Sequence, residues 1–237
     1  MKVVLFDLDG TLLPMDQDIF VGRYLQEVGA KGAQKGYGAQ DLVQIVLKGF
    51  EVMVANDGSM TNEGRFWQLF MAAFDGERAE HEAVFEEFYR NEFARVADGT
   101  SPTPLANEAI QTLKEKGYEL VLATNPVFPR VATQERMRWA GLNPEDFTLV
   151  TTYENSSFAK PNLNYYREIL TTIKARPEEC LMVGNDMQED IVAAKLGMNV
   201  FLVTDDLINS TNEDYSQVPQ GDRHAMLRYF KELPNRR

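Results

Sequence analysis

The chain opens on a short apolar run, Val3-Val4-Leu5-Phe6, that breaks off in Asp7-Leu8-Asp9-Gly10-Thr11. The next run of the same kind, Leu120-Val121-Leu122-Ala123, comes more than a hundred residues later. Between them the apolar period changes. Phe20, Tyr24 and Val28 recur at helical spacing, as do Leu42, Val46, Phe50 and Met53, then Phe66, Phe70 and Phe74, then Phe85, Phe88, Tyr89 and Phe93. The Gly-rich piece Lys31 to Gly38 is expected to separate the first two of these helices. From Thr100 onward, helical stretches alternate with short apolar runs, the last two at Cys180 to Val183 and Asn199 to Val203. Such alternation predicts a parallel sheet with helices on both faces. A structureless connection of a hundred residues is implausible inside a compact domain. The helical stretch is therefore expected to be a domain inserted just after the first strand, over the carboxyl ends of the strands. The expected division is 1–14 and 98–237 for the sheet domain and 15–97 for an all-helical cap. The tail from Asp205 reads as polar loop up to a short helix around His224 to Leu233.

Bulk properties narrow the partners. With 24 basic and 36 acidic residues the formal charge is −12, a field that repels nucleic acid and anionic membranes. Neither is expected to bind. The single cysteine, Cys180, rules out an internal disulfide framework and reads as a buried core thiol. No run resembles a signal segment or a membrane span, so a cytoplasmic protein is expected. A monomer is the default expectation, with a dimer left open.

Polar residues gather where the strands end. The first strand offers Asp7 and Asp9, the second runs into Thr124-Asn125, Lys160-Pro161 follows the third, and the fourth runs into Gly184-Asn185-Asp186, with Asp190 four residues on. In open α/β sheets this rim is where ligands bind. Each residue alone has a plain explanation as turn, cap or solvated side chain. Together they make a set that chance rarely assembles. Asp7 and Asp186 are hard oxygen donors of the kind Mg²⁺ accepts, and no histidine lies near the rim motifs to favour softer metals. Phosphoryl transfer needs positioning and charge neutralisation above all. Lys160 and Mg²⁺ can supply the neutralisation, and the Thr124 hydroxyl and Asn125 N–H can bind phosphoryl oxygens. Asp7 can then attack as a nucleophile, while Asp9 serves the proton transfers.

Asp7-Leu8-Asp9-Gly10-Thr11, Thr124, Lys160-Pro161 and Gly184-Asn185-Asp186-Met187-Gln188-Glu189-Asp190 resemble the four motifs of the haloacid dehalogenase-like hydrolase superfamily, in order and with fitting separations. The helical insertion is similar to that superfamily's type I cap. The resemblance implies a Rossmann-like, doubly wound α/β sheet of order 5-4-1-2-3 and a cap that opens and closes. It also implies roles: Asp7 as nucleophile, Asp9 as acid/base, Thr124 as phosphoryl binder and Lys160 as stabilising cation. Mg²⁺ would bind Asp7, the Asp9 main-chain carbonyl and Asp186, with Asp190 supporting the site.

The expected activity is thus Mg²⁺-dependent hydrolysis of a small phosphorylated metabolite through an aspartyl-phosphate. Phosphomutase action of the β-phosphoglucomutase type stays open. Dehalogenation of a 2-haloacid is disfavoured, since it needs neither Asp9 nor Asp186. Carbon–phosphorus cleavage would need a cap lysine such as Lys31, Lys35 or Lys48, each more simply read as solvated. A non-catalytic binding module is the remaining alternative. Specificity is expected in the cap, where Arg23, Lys31, Lys35, Lys48 and Arg65 are the basic candidates and none is singled out.

Overall fold

In the computed structural model, which describes residues 1–236, β1 (Val3–Phe6) is buried along its whole length. It lies at the centre of a six-stranded sheet of order β3-β2-β1-β4-β5-β6. The other strands are β2 (Glu119–Leu122), β3 (Leu149–Val150), β4 (Cys180–Gly184), β5 (Asn199–Val203) and β6 (Gln220–Gly221). All neighbours pair parallel, with Phe6 in register with Leu122 on one side and Val183 on the other. The carboxyl ends therefore share one rim. The strands are apolar without alternation because both faces are covered. Val4, Phe6, Leu120 and Leu122 face one core with helices α5 (Pro104–Glu115), α6 (Arg130–Trp139) and α8 (Arg223–Glu232). Val3, Leu5, Val121 and Met182 face the other, against α7 (Leu163–Ile173).

Between β1 and α5 stands the helical insertion: α1 (Gln17–Lys35), α2 (Ala39–Val54), α3 (Asn62–Ala73), α4 (Arg78–Asn91) and a 3-10 segment, Phe93–Gly99. The Asp16 carboxylate caps α1 by accepting from Ile19 N–H, and Thr61 caps α3 by accepting from Gly64 N–H. The chain leaves and re-enters the sheet domain side by side. Asp16 N–H donates to Gly99 O (3.0 Å) and Ser101 N–H to Pro14 O (2.8 Å). The insert's interior is aromatic, with Tyr24 against Phe88 and Phe93 at centroid distances of 6.1 and 6.1 Å, and Phe128 of the sheet domain reaches in to 5.3 Å.

Three local expectations are corrected. Only the end of the Gly-rich piece, Gly36-Tyr37-Gly38, separates α1 from α2, since α1 runs through its first part to Lys35 and ends at Gly36 (φ 83°). There its glycine thins the helix. A Cβ on Gly32 would stand 3.0 Å from both Gly38 O and Leu42 Cβ, so the pair of helices packs closely there. The helical stretch expected between the runs at Cys180 and Asn199 is a short 3-10 turn, Ile191–Leu196. The polar tail hides a sixth strand, β6, extending the expected five-strand order by one. At two residues it is too short to show a period.

Candidate active site

The rim brings the expected residues to one place. Lys160, 1% exposed, donates from Nζ to Asp7 Oδ1 (2.7 Å) and to Asp190 Oδ1 (2.6 Å). The other oxygen of Asp190 accepts from Asp186 N–H (3.0 Å), and Asp186 Oδ1 accepts from the N–H groups of Gln188 (2.7 Å) and Glu189 (2.8 Å). One network thus joins β1, the loop after β3 and the loop after β4. Thr124 and Asn125 sit on the neighbouring strand end and line the same cavity as Asp7, Asp9 and Asp186. The Asn125 side chain is already engaged: its amide nitrogen donates to Glu189 (3.1 and 3.2 Å) and its Oδ1 accepts from Lys160 N–H (3.2 Å). That leaves the main chain as the part of Asn125 able to meet a ligand.

Neighbouring elements hold these parts in position. Tyr165 and Tyr166 of α7 donate to Thr124 O (2.9 Å) and Glu189 O (2.6 Å). At Gly184 any Cβ would overlap the Asp190 carboxylate, so only glycine lets that carboxylate reach Lys160. Asn185, 1% exposed, accepts from the Thr11 hydroxyl (2.9 Å) and donates to Asp206 O (2.6 Å). It ties the turn after β1 to the end of β4, which accounts for an asparagine just before Asp186.

Burial dominates the electrostatics. It raises the carboxyls of Asp9 and Asp186, pushes Glu189 up to about 7 and Asp190 up to about 8. Burial alone would lower Lys160, but the Asp190 and Asp7 carboxylates hold it well above the ordinary lysine range. Five carboxylates therefore crowd a pocket that has one buried lysine among them. Such crowding favours a bound cation.

Two site residues escape sequence reading. Arg136 of α6, 1% exposed, donates from its guanidinium to Asp9 Oδ2, and its Cζ lies 4.6 Å from the Phe128 ring centroid. A signal existed, for Arg136 falls midway between Ala132 and Ala140 on the buried stripe of α6. Arg223, at the start of α8, donates from Nε to Thr11 O (2.9 Å) and from Nη2 to Gly10 O and to Asp206. It clamps the loop that follows Asp9. Nothing in its sequence surroundings announced it.

The cap's basic candidates lie elsewhere. Lys31 pairs with Glu87 (2.9 Å) and Glu92 (3.0 Å), Lys35 with Glu87 (2.8 Å), Lys48 with Glu51 (2.6 Å), and Arg65 with Asp57. Arg23 donates to Gln26 (3.4 Å). None of the five lines the rim cavity.

The family model for haloacid dehalogenase-like hydrolases matches residues 1–197. The chain belongs to that family. It is 24% identical over 194 residues to the pyrophosphatase PpaX of Bacillus cereus, covering 82% of this chain and 78% of that one. It is 31% identical over 113 residues to a glyceraldehyde 3-phosphate phosphatase of Methanothermobacter thermautotrophicus, a match spanning 47% of this chain and about half (49%) of the relative. Among solved structures, the 2-haloacid dehalogenase of Pseudomonas syringae superimposes with a TM-score of 0.64 at 19% identity, over 97% of both chains. That likeness concerns the fold alone. The chain is thus a capped α/β hydrolase of this family with phosphatase relatives, and among the described residues no helix is long and apolar enough to cross a membrane.

Proposed function

We propose that the chain is a magnesium-dependent phosphatase that hydrolyses a small phosphate monoester through an aspartyl-phosphate on Asp7. The observation that supports it most is the Lys160 ammonium bridging Asp7 and Asp190 on the rim. A lone carboxylate attacking a phosphate dianion meets repulsion, and a buried lysine beside it offsets that charge.

The donor set fits Mg²⁺. Asp7 and Asp186 both line the cavity, each with Oδ1 engaged and Oδ2 without a donor among the described residues. Among those residues no three His, Cys, Asp or Glu side chains form a metal cluster by themselves. The proposed set needs only two side chains, with the Asp9 main-chain carbonyl as third protein ligand and Asp190 in support. When bound, the ion neutralises phosphoryl charge as a Lewis acid.

In the first half-reaction an Asp7 oxygen bonds to phosphorus as the ester oxygen departs, and Asp9 gives that oxygen its proton. In the second, Asp9 takes a proton from water, the water oxygen bonds to phosphorus, and Asp7 is released with inorganic phosphate. The Thr124 hydroxyl and Asn125 N–H hold phosphoryl oxygens, and Lys160 stabilises them. Dehalogenation would leave Asp9 and the Asp186–Asp190 network without work.

The test is phosphate release from p-nitrophenyl phosphate with Mg²⁺ and with EDTA, for the wild-type protein and Asp7→Asn. Metal-dependent release lost in the variant supports the reading. Equal release in EDTA, or an active Asp7→Asn, sinks it.

A further inference from the structure

The rim cavity, of about 250 Å³, is partly covered by the insert. Its upper wall is apolar: Met15, Phe20, Val21, Tyr24 and Phe50 from the insert, with Phe128 from the loop after β2. Tyr24 does not change this, because its hydroxyl is bonded to that of Tyr89 (2.9 Å) and it presents its ring. Gln17 is the one polar side chain the insert contributes. Among the described residues no lysine, arginine or histidine lines the cavity. The insert's lysines and arginines, Arg23 excepted, are paired with its own carboxylates, and Arg23 is exposed, donates to Gln26 and does not line the cavity. Lys31, Lys35, Lys48 and Arg65 are paired as described, and Arg78, Arg90 and Arg95 pair with Glu63 and Glu82, Glu86, and Glu27.

The floor is the opposite. Asp7, Asp9, Asp186, Glu189 and Asp190 all line it, and Lys160 beneath is already shared between two of them. Charge neutralisation in this pocket suffices for one phosphoryl group at the nucleophile. A second anionic group on the substrate would lie against aromatic rings without a counter-ion, where burying an unpaired charge is costly, and it would face a strongly acidic floor.

Resting on the phosphatase reading above, we infer that the substrate is the phosphate monoester of an uncharged, predominantly apolar alcohol, with an aryl or alkyl group that packs among Phe20, Tyr24, Phe50 and Phe128. Pyrophosphate, bisphosphorylated sugars and phosphorylated hydroxy acids are then poor substrates. In this the chain departs from its pyrophosphatase relative. Small rings suit such a wall, since edge-to-face contacts add to simple burial.

Two esters of comparable primary alcohols decide the matter, 2-phenylethyl phosphate and 2-carboxyethyl phosphate, assayed with Mg²⁺ alongside p-nitrophenyl phosphate. The phenylethyl ester should be preferred in kcat/KM by at least roughly tenfold, the range in which pocket contacts discriminate. Val21→Lys, at a half-exposed position on the cavity lining, should raise kcat/KM for the carboxyethyl ester and narrow the preference. Equal use of the two esters, preference for the carboxylated one, or release from p-nitrophenyl phosphate alone overturns the inference while the phosphatase reading stands. Release from none of the three overturns that reading and the inference with it.

Discussion

The guanidinium of Arg136 and the carboxylate of Asp9 form an ion pair beneath the Phe128 ring, joining the middle of α6 to the turn after β1. Asp9 Oδ1 is buried without a partner, as is Arg136 Nε. Asp9 is therefore held by one oxygen, and on the proposed mechanism the other is the one left for proton transfer. Asp9 needs a cation here because burial raises its carboxyl, and Arg136 is the foremost influence drawing it back down.

Replacing Arg136 by Met should keep the fold and remove the tether. Expected is a fall in kcat of roughly 10²-fold, the lower end of what a positioned acid/base contributes, with a smaller change in KM. A leaving group needing no protonation, such as p-nitrophenolate, should be less affected than a primary alcohol. Equal losses on the two esters would assign Arg136 to packing alone.

Lys160→Met should be worse for stability than for shape. The lysine and Asp190 are each 1% exposed, and the methionine would leave Asp190 and Asp7 facing one another unpaired. Removing one member of a buried pair costs about 3–5 kcal/mol, so the urea midpoint should drop markedly and turnover should vanish. A variant as stable as the wild type would mean that the carboxylates simply take up protons. Restoring stability, but not turnover, with the double variant Lys160→Met, Asp190→Asn would separate the two roles.

Most of the rim was legible in sequence because Asp7, Thr124 and Asn185 follow short, abrupt apolar strands, whereas Lys160 lies well beyond β3 and depends on its loop. Parallel pairing then brings those ends together whatever the loops do. What escaped were long-range polar contacts made by side chains on helices. The apolar stripe of α6 puts Arg136 on the buried face, but its partners Phe128 and Asp9 are encoded by no local pattern. Lys31 departs from expectation in another way, since it reads as solvated and is buried. Its partners Glu87 and Glu92 lie more than fifty residues away in sequence, so the pairing that buries it exists only after folding.

Asn62, at the start of α3, should prove the anchor between insert and sheet domain. It is fully buried, donates from Nδ2 to Pro126 O (3.0 Å) and Phe158 O (3.3 Å), and accepts from Asn56 Nδ2 (2.8 Å). Asn62→Ala strands two carbonyls and the Asn56 amide, a loss of about 1–3 kcal/mol. Faster hydrogen exchange in α3 and the loop after β2, with the sheet unchanged, is the expected signature. Uniform acceleration across both domains would argue against a local anchor.

Cys180 supplies a pH-dependent test of the sheet itself. It begins β4, and burial pushes its thiol up from 9.0 to about 11. The raised value fixes the sign. Below 9 the thiol is protonated folded or unfolded, and its contribution is fully present. Between 9 and about 11 the unfolded chain gains a thiolate that the folded chain resists, so stability falls as pH rises through that window. Urea midpoints measured below 9 and near 11 should decline more steeply for the wild type than for Cys180→Ala, and native protein near neutral pH should resist alkylation until unfolded. Parallel declines in the two proteins, or rapid alkylation of the folded chain, would show that the thiol at the start of β4 is open to water.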